Sequence, residues 1–145
     1  KMRFENQEDL DREEKAIKLF TSRYNYNYKK LGDYDLDFLI TKQDSTVIGT
    51  AEVKGRKRFL KDQSNLPLAE RKYNKIMKVK KAKIIIWAFK DGIIYCQLNK
   101  LKGIKKIGGR KPRQGSFNDI ESMYYYNRKT NNKVLIELKY YEKIN

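Results

Sequence analysis

Residues 34–57 read YDLDFLITKQDSTVIGTAEVKGRK, two strand-like runs around a short polar break. Tyr34, Leu36, Phe38 and Ile40 alternate with Asp33, Asp35, Asp37 and Leu39, the period of two expected of a strand. Residues 43–46 interrupt the pattern, and a second run over 47–54 ends in Glu52-Val53-Lys54. Glu52 and Lys54 are two apart and share a face, while Val53 points the other way. A four-residue loop over 43–46 sets Asp37 opposite Glu52 and Asp35 opposite Lys54. The same register sets Leu36, Phe38 and Ile40 against Val53, Ala51 and Gly49 on the other face. A loop two residues shorter or longer changes the partners but not the faces. One face is therefore apolar, and the other gathers two or three carboxylates beside an ammonium. Carboxylates this close repel unless a cation or a proton joins them, and a divalent metal meets that need.

Composition narrows the chemistry. The 145 residues suit one domain with a real core. The net charge of +16 is segregated: residues 71–83 and 100–113 each hold seven bases and no acid. Segregated positive charge points to a polyanion, nucleic acid before an anionic membrane, because no basic stretch carries a strong apolar helical face. A single cysteine excludes an intramolecular disulfide. The absence of histidine excludes His-based zinc sites, Ser-His-Asp triads and histidine-metal nuclease chemistry. Any metal site must then be built from oxygen, which favours Mg²⁺ or Mn²⁺. No apolar run reaches membrane-spanning length and no signal-peptide segment is visible. The expected location is a reducing cytoplasm, bacterial, archaeal or of a phage-infected cell.

Along the chain, residues 6–22 read as a helix with Asn6 as N-cap and acids in the first turn. Leu10, Ala16, Ile17 and Phe20 form its apolar stripe, with Glu13 near the middle and Glu14 at the edge. Periodicity leaves open whether Glu13 faces the core, faces a site or escapes to solvent. Tyr24, Tyr26 and Tyr28 alternate as in a short strand. Gly55-Arg56-Lys57-Arg58 is a basic exit from the hairpin, placed to neutralise phosphates. Asn65-Leu66-Pro67 breaks the chain, and residues 68–80 read as a helix with Leu68, Tyr73, Ile76, Met77 and Val79 inward. Residues 83–89 have the near-continuous apolar character of a central strand, with Trp87 in the core. Asp91-Gly92 signals a hairpin and residues 93–98 the returning strand, where Cys96 reads as a small buried hydrophobe. Residues 100–115 form a glycine-rich basic loop whose Arg110, Lys111 and Arg113 would grip phosphates. Residues 123–126 are β-prone or mixed, and for 134–141 strand and helix both remain open.

An acid on one strand followed by Glu-x-Lys on the next resembles the PD-(D/E)XK nuclease superfamily. The matching residues are Asp37 (or Asp35) and Glu52-Val53-Lys54, with no proline before either aspartate. The likeness covers about residues 13–89. It implies an α/β (α+β) fold: an αβββαβ restriction-endonuclease-like core, its mixed central sheet flanked by helices. The chain would form one domain, 1–145, with a β-rich C-terminal extension from about residue 91. The resemblance further implies a DNA endonuclease dependent on Mg²⁺ (or Mn²⁺). Asp37, Glu52 and the backbone of Val53 would hold the metal, and Asp37, Glu52 and Lys54 would be catalytic. Branches similar to Holliday-junction resolvases carry an acid on the first helix in a Glu-x-x-Ala setting. Here Glu13-Glu14-Lys15-Ala16 nominates Glu13 as an auxiliary ligand. Arg56, Lys57, Arg58, Arg110, Lys111 and Arg113 would bind DNA, duplex or branched, and paired cuts would need a homodimer or higher oligomer. The alternative is a non-catalytic basic module that binds RNA or DNA.

Overall fold

Asn6 begins the first helix as expected. Its side-chain oxygen accepts from the Asp9 N–H at 2.9 Å, and the Asp9 carboxylate accepts in return from the Asn6 N–H. This reciprocal cap satisfies two donors that a helix start leaves orphaned. The computed structural model describes residues 6–32, 36–109 and 120–141. Helix α1 (Gln7–Tyr24) ends at Asn25, whose φ of 56° is left-handed, a conformation asparagine tolerates. Ala16, Ile17 and Phe20 are buried, whereas Leu10, expected in the same stripe, is 37% exposed near the helix start. Tyr24 belongs to the helix, not to the strand predicted from tyrosine alternation.

The chain continues as β1 (Asn27–Lys30), β2 (Phe38–Thr41), β3 (Val47–Gly55), β4 (Asn65–Ala69) and α2 (Glu70–Met77). Then follow β5 (Ala82–Ala88), β6 (Gly92–Gln97), β7 (Ile104–Gly109), β8 (Ile120–Asn127) and β9 (Ile136–Lys139). Six strands form a mixed sheet in the order β1-β2-β3-β5-β6-β9, with β3 and β5 parallel and the other neighbours antiparallel. The segment over 134–141, undecided in sequence, thus supplies an edge strand. A smaller antiparallel sheet has the order β4-β8-β7. The succession α1-β1-β2-β3-α2-β5 matches the restriction-endonuclease-like core, with β4 inserted before its second helix.

That insertion corrects the helix predicted over 68–80. Leu66 and Leu68 are both buried, two apart on a strand, and α2 starts only at Glu70. Pro67 sits inside β4, opposite Tyr125, and its carbonyl accepts from the Trp87 indole N–H at 2.8 Å. Part of the predicted basic loop is also a strand, because Ile104–Gly109 pairs with β8.

The large sheet separates two apolar clusters. On one face α1 packs Ala16, Ile17 and Phe20 against Phe38, Ala51, Val53 and Ile86. On the other, Ile85, Trp87 and Cys96 meet Ile76 of α2 and Leu66, Leu68 and Tyr126 of the small sheet. Burial pushes the Cys96 thiol up to about 12, so it acts as a small hydrophobe. Among the described residues no helix is long and apolar enough to cross a membrane.

Candidate active site

The β2–β3 hairpin sets the register of the site. Phe38 pairs with Ala51, Leu39 with Thr50 and Ile40 with Gly49, as the sequence predicts. The loop itself differs. Thr41 pairs with Val47, and Lys42 closes the turn by donating its N–H to the Thr46 carbonyl at 2.8 Å. The turn that Lys42 and Thr46 close holds three residues, 43–45, one fewer than predicted, and a bulge at the unpaired Ile48 of β3 absorbs the difference. Without it, a one-residue slip would have turned every side chain of one strand to the wrong face.

Continued past Phe38, this register brings Asp37 against Glu52, and hydrogen bonds lock the two together. The Asp37 N–H donates to Glu52 Oε1 at 3.1 Å, and the Val53 N–H donates to Asp37 Oδ2 at 2.8 Å. Both acids are 3% exposed. Ionising Glu52 at this depth and beside another acid is costly. The Glu52 carboxyl is accordingly pushed up by burial first and by Asp37 second, while Lys72 pulls it down. Lys54 follows on the Glu52 face, half-buried, opposite Trp87 in the parallel register. Burial holds its ammonium below the ordinary lysine value, the Glu52 carboxylate opposes this, and Lys72, Arg71 and Arg56 add to it.

A family model described as "Phage putative PDDEXK endonuclease" matches residues 1–134. The chain belongs to that family. No curated protein and no solved structure matches it.

Around the paired acids of this endonuclease-family chain, the remaining predicted residues take separate places. Glu13 is buried in the α1 stripe, where its carboxylate accepts from the Lys30 ammonium of β1. Lys30 pairs with Phe38 and lies over its ring, so the Glu13–Lys30 pair sits on the α1 side of the sheet. It remains close to the hairpin, because Leu31 donates its N–H to the Asp37 carbonyl at 3.0 Å. Glu14 accepts instead from the Tyr28 hydroxyl at 2.5 Å. Arg56 donates from Nε to Gln63 Oε1 at 3.0 Å, and Lys57 and Arg58 are exposed. Asp35, Arg110, Lys111 and Arg113 lie outside the described residues. Among the described residues, no three acids or cysteines converge as a metal cluster.

Sequence reasoning passed over one participant. Lys72 of α2 places its ammonium 3.0 Å from Glu52 Oε2. The signal lay in helical spacing: Lys72 is four residues before Ile76, which is buried against the sheet, so both share the inward face.

The raised Glu52 carboxyl has a testable consequence. In the unfolded chain this group ionises near its ordinary 4.5. Between that value and the raised one the folded state binds more protons, so stability falls as pH climbs through the window. Thermal melts in chelator, taken upward from pH 4.5, should show that loss. Glu52→Gln should flatten the slope relative to the native chain.

Proposed function

We propose that this chain hydrolyses DNA phosphodiester bonds with the help of Mg²⁺ or Mn²⁺ held between Asp37 and Glu52. The observation that carries the reading is the buried Asp37–Glu52 contact with Lys54 on the same face. The donor set fits a hard cation, being all oxygen in a chain without histidine. Mg²⁺ retains several waters and commonly takes only one or two carboxylates, a number that Asp37 and Glu52 can supply. When bound, such a cation lowers the pKa of a water and polarises a phosphoryl oxygen.

The protein's own groups supply the rest. Asp37 and Glu52 would provide the anionic ligands, with the Val53 carbonyl as a further oxygen; the Val53 N–H already donates to Asp37 Oδ2. Lys54, its proton held less tightly than on a surface lysine, orients the attacking water and offsets charge growing on the phosphate. Glu13, nominated as an auxiliary ligand, has Oε1 engaged by Lys30 on the α1 side of the sheet. Arg56, Lys57 and Arg58, at the exit of β3, take the flanking phosphates, joined in this reading by Arg110, Lys111 and Arg113. Breaking both strands of a duplex calls for two such sites, hence a homodimer.

Incubation of supercoiled, linear and four-way-junction DNA with Mg²⁺, Mn²⁺, Ca²⁺ or EDTA tests the proposal. The expected result is nicking with Mg²⁺ or Mn²⁺, none in EDTA, and affinity that falls steeply with salt. Binding without cleavage under every divalent ion would leave a basic binding module instead.

A further inference from the structure

We infer that Lys72 is a built-in counter-ion that occupies the carboxylate pair when no metal is present and must withdraw for a divalent cation to load. The inference rests on the metal-nuclease reading and extends it to a residue outside the Asp, Glu-x-Lys pattern.

Two observations carry it. The Lys72 ammonium lies 3.0 Å from Oε2 of Glu52, a carboxylate whose side chain is only 4% exposed. The other oxygen of the same group accepts the Asp37 N–H. Glu52 Oε2, the oxygen left for an incoming cation, is therefore the one the ammonium holds. Second, Lys72 comes from α2, not from the hairpin, and its side chain is still 22% exposed. A long flexible stem on a helix surface can swing outward without disturbing β2 or β3.

The geometry therefore couples two events. Metal entry beside a resident ammonium meets like-charge repulsion, so the two cations exclude one another. Withdrawal frees a positive charge beside the site, where Lys54 already feels both Lys72 and Arg71. An incoming phosphate would draw Lys72 away and thereby favour loading, and by reciprocity loading would favour the phosphate.

Calorimetric titration of Mn²⁺ into the full chain without DNA tests this directly. Lys72→Gln should bind Mn²⁺ at least about tenfold more tightly than the native chain, and Lys72→Arg should not. In chelator Lys72→Gln should melt below the native chain, and millimolar Mn²⁺ should close the gap. A second measurement needs no variant of Lys72. Acylation of its amine, read by mass spectrometry, should rise when Mn²⁺ is added to the native chain and stay constant in Asp37→Asn. Equal or weaker Mn²⁺ binding by Lys72→Gln, or Lys72 acylation indifferent to Mn²⁺, overturns the inference while leaving the nuclease reading intact. No Mn²⁺ binding by the native chain or by Lys72→Gln overturns both.

Discussion

Asp37→Asn should abolish cleavage, by at least about a thousandfold, while leaving the protein folded and bound to DNA. The size follows from what the proposed site would lose: one of its two carboxylate ligands. A thousandfold corresponds to about 4 kcal/mol of transition-state stabilisation, a reasonable share for one metal ligand. Stability should not suffer. The asparagine oxygen can still accept from the Val53 N–H, and the substitution leaves Glu52 and Lys72 as a neutral ion pair. Lys54→Ala should lower the rate with little change in duplex affinity, because binding is shared among many exposed bases. Asp35→Asn is the companion control and should cut normally. The measurements are single-turnover nicking and filter binding on the same preparations. If Asp37→Asn and Lys54→Ala both cut at the native rate, the site lies elsewhere.

The hairpin was legible in sequence because a strand's side chains alternate strictly, so Glu52 and Lys54 had to share a face whatever the loop length parity allowed. The chain kept that parity by a route no pattern displays, a bulge at Ile48 of β3 that offsets a shorter turn. The first helix was legible from Asn6 and its acids, and so was the burial of Ala16, Ile17 and Phe20. Leu66-Pro67-Leu68 was misread because proline argues against a strand. It is admitted here since β4 is an edge of its small sheet, where a missing N–H costs least. Lys72 escaped notice because one lysine among seven bases in residues 71–83 looks like solvated surface. Only the fold shows that this one turns toward Glu52. The two sheets pair strands far apart in sequence, β4 with β8 and β6 with β9, and such pairings leave little local trace.

Trp87→Ala should be the most damaging core substitution, costing about 3–5 kcal/mol of an expected total near 5–15 kcal/mol. The side chain is fully buried in the cluster that joins the large sheet to α2 and the small sheet. Its ring lies 6.0 Å from that of Tyr126, and its indole N–H is bonded to the Pro67 carbonyl. Truncation therefore opens a cavity and leaves a buried carbonyl unpartnered at once. Trp87→Phe separates the two losses: it keeps an aromatic ring and forfeits the hydrogen bond, for about 1–3 kcal/mol plus any residual void. The consequence reaches the site. Pro67 is three residues before Glu70, where α2 begins, and α2 carries Lys72 to Glu52. Trp87 is also the partner of Lys54 in the parallel register of β3 and β5. Loss of the indole should loosen both lysines, so that Trp87→Ala, assayed where it remains folded, cuts more slowly than Trp87→Phe. Urea denaturation followed by circular dichroism gives the stabilities, since the only tryptophan is the one removed. A Trp87→Ala midpoint equal to the native one would mean that the small sheet is fastened to the large one by other contacts.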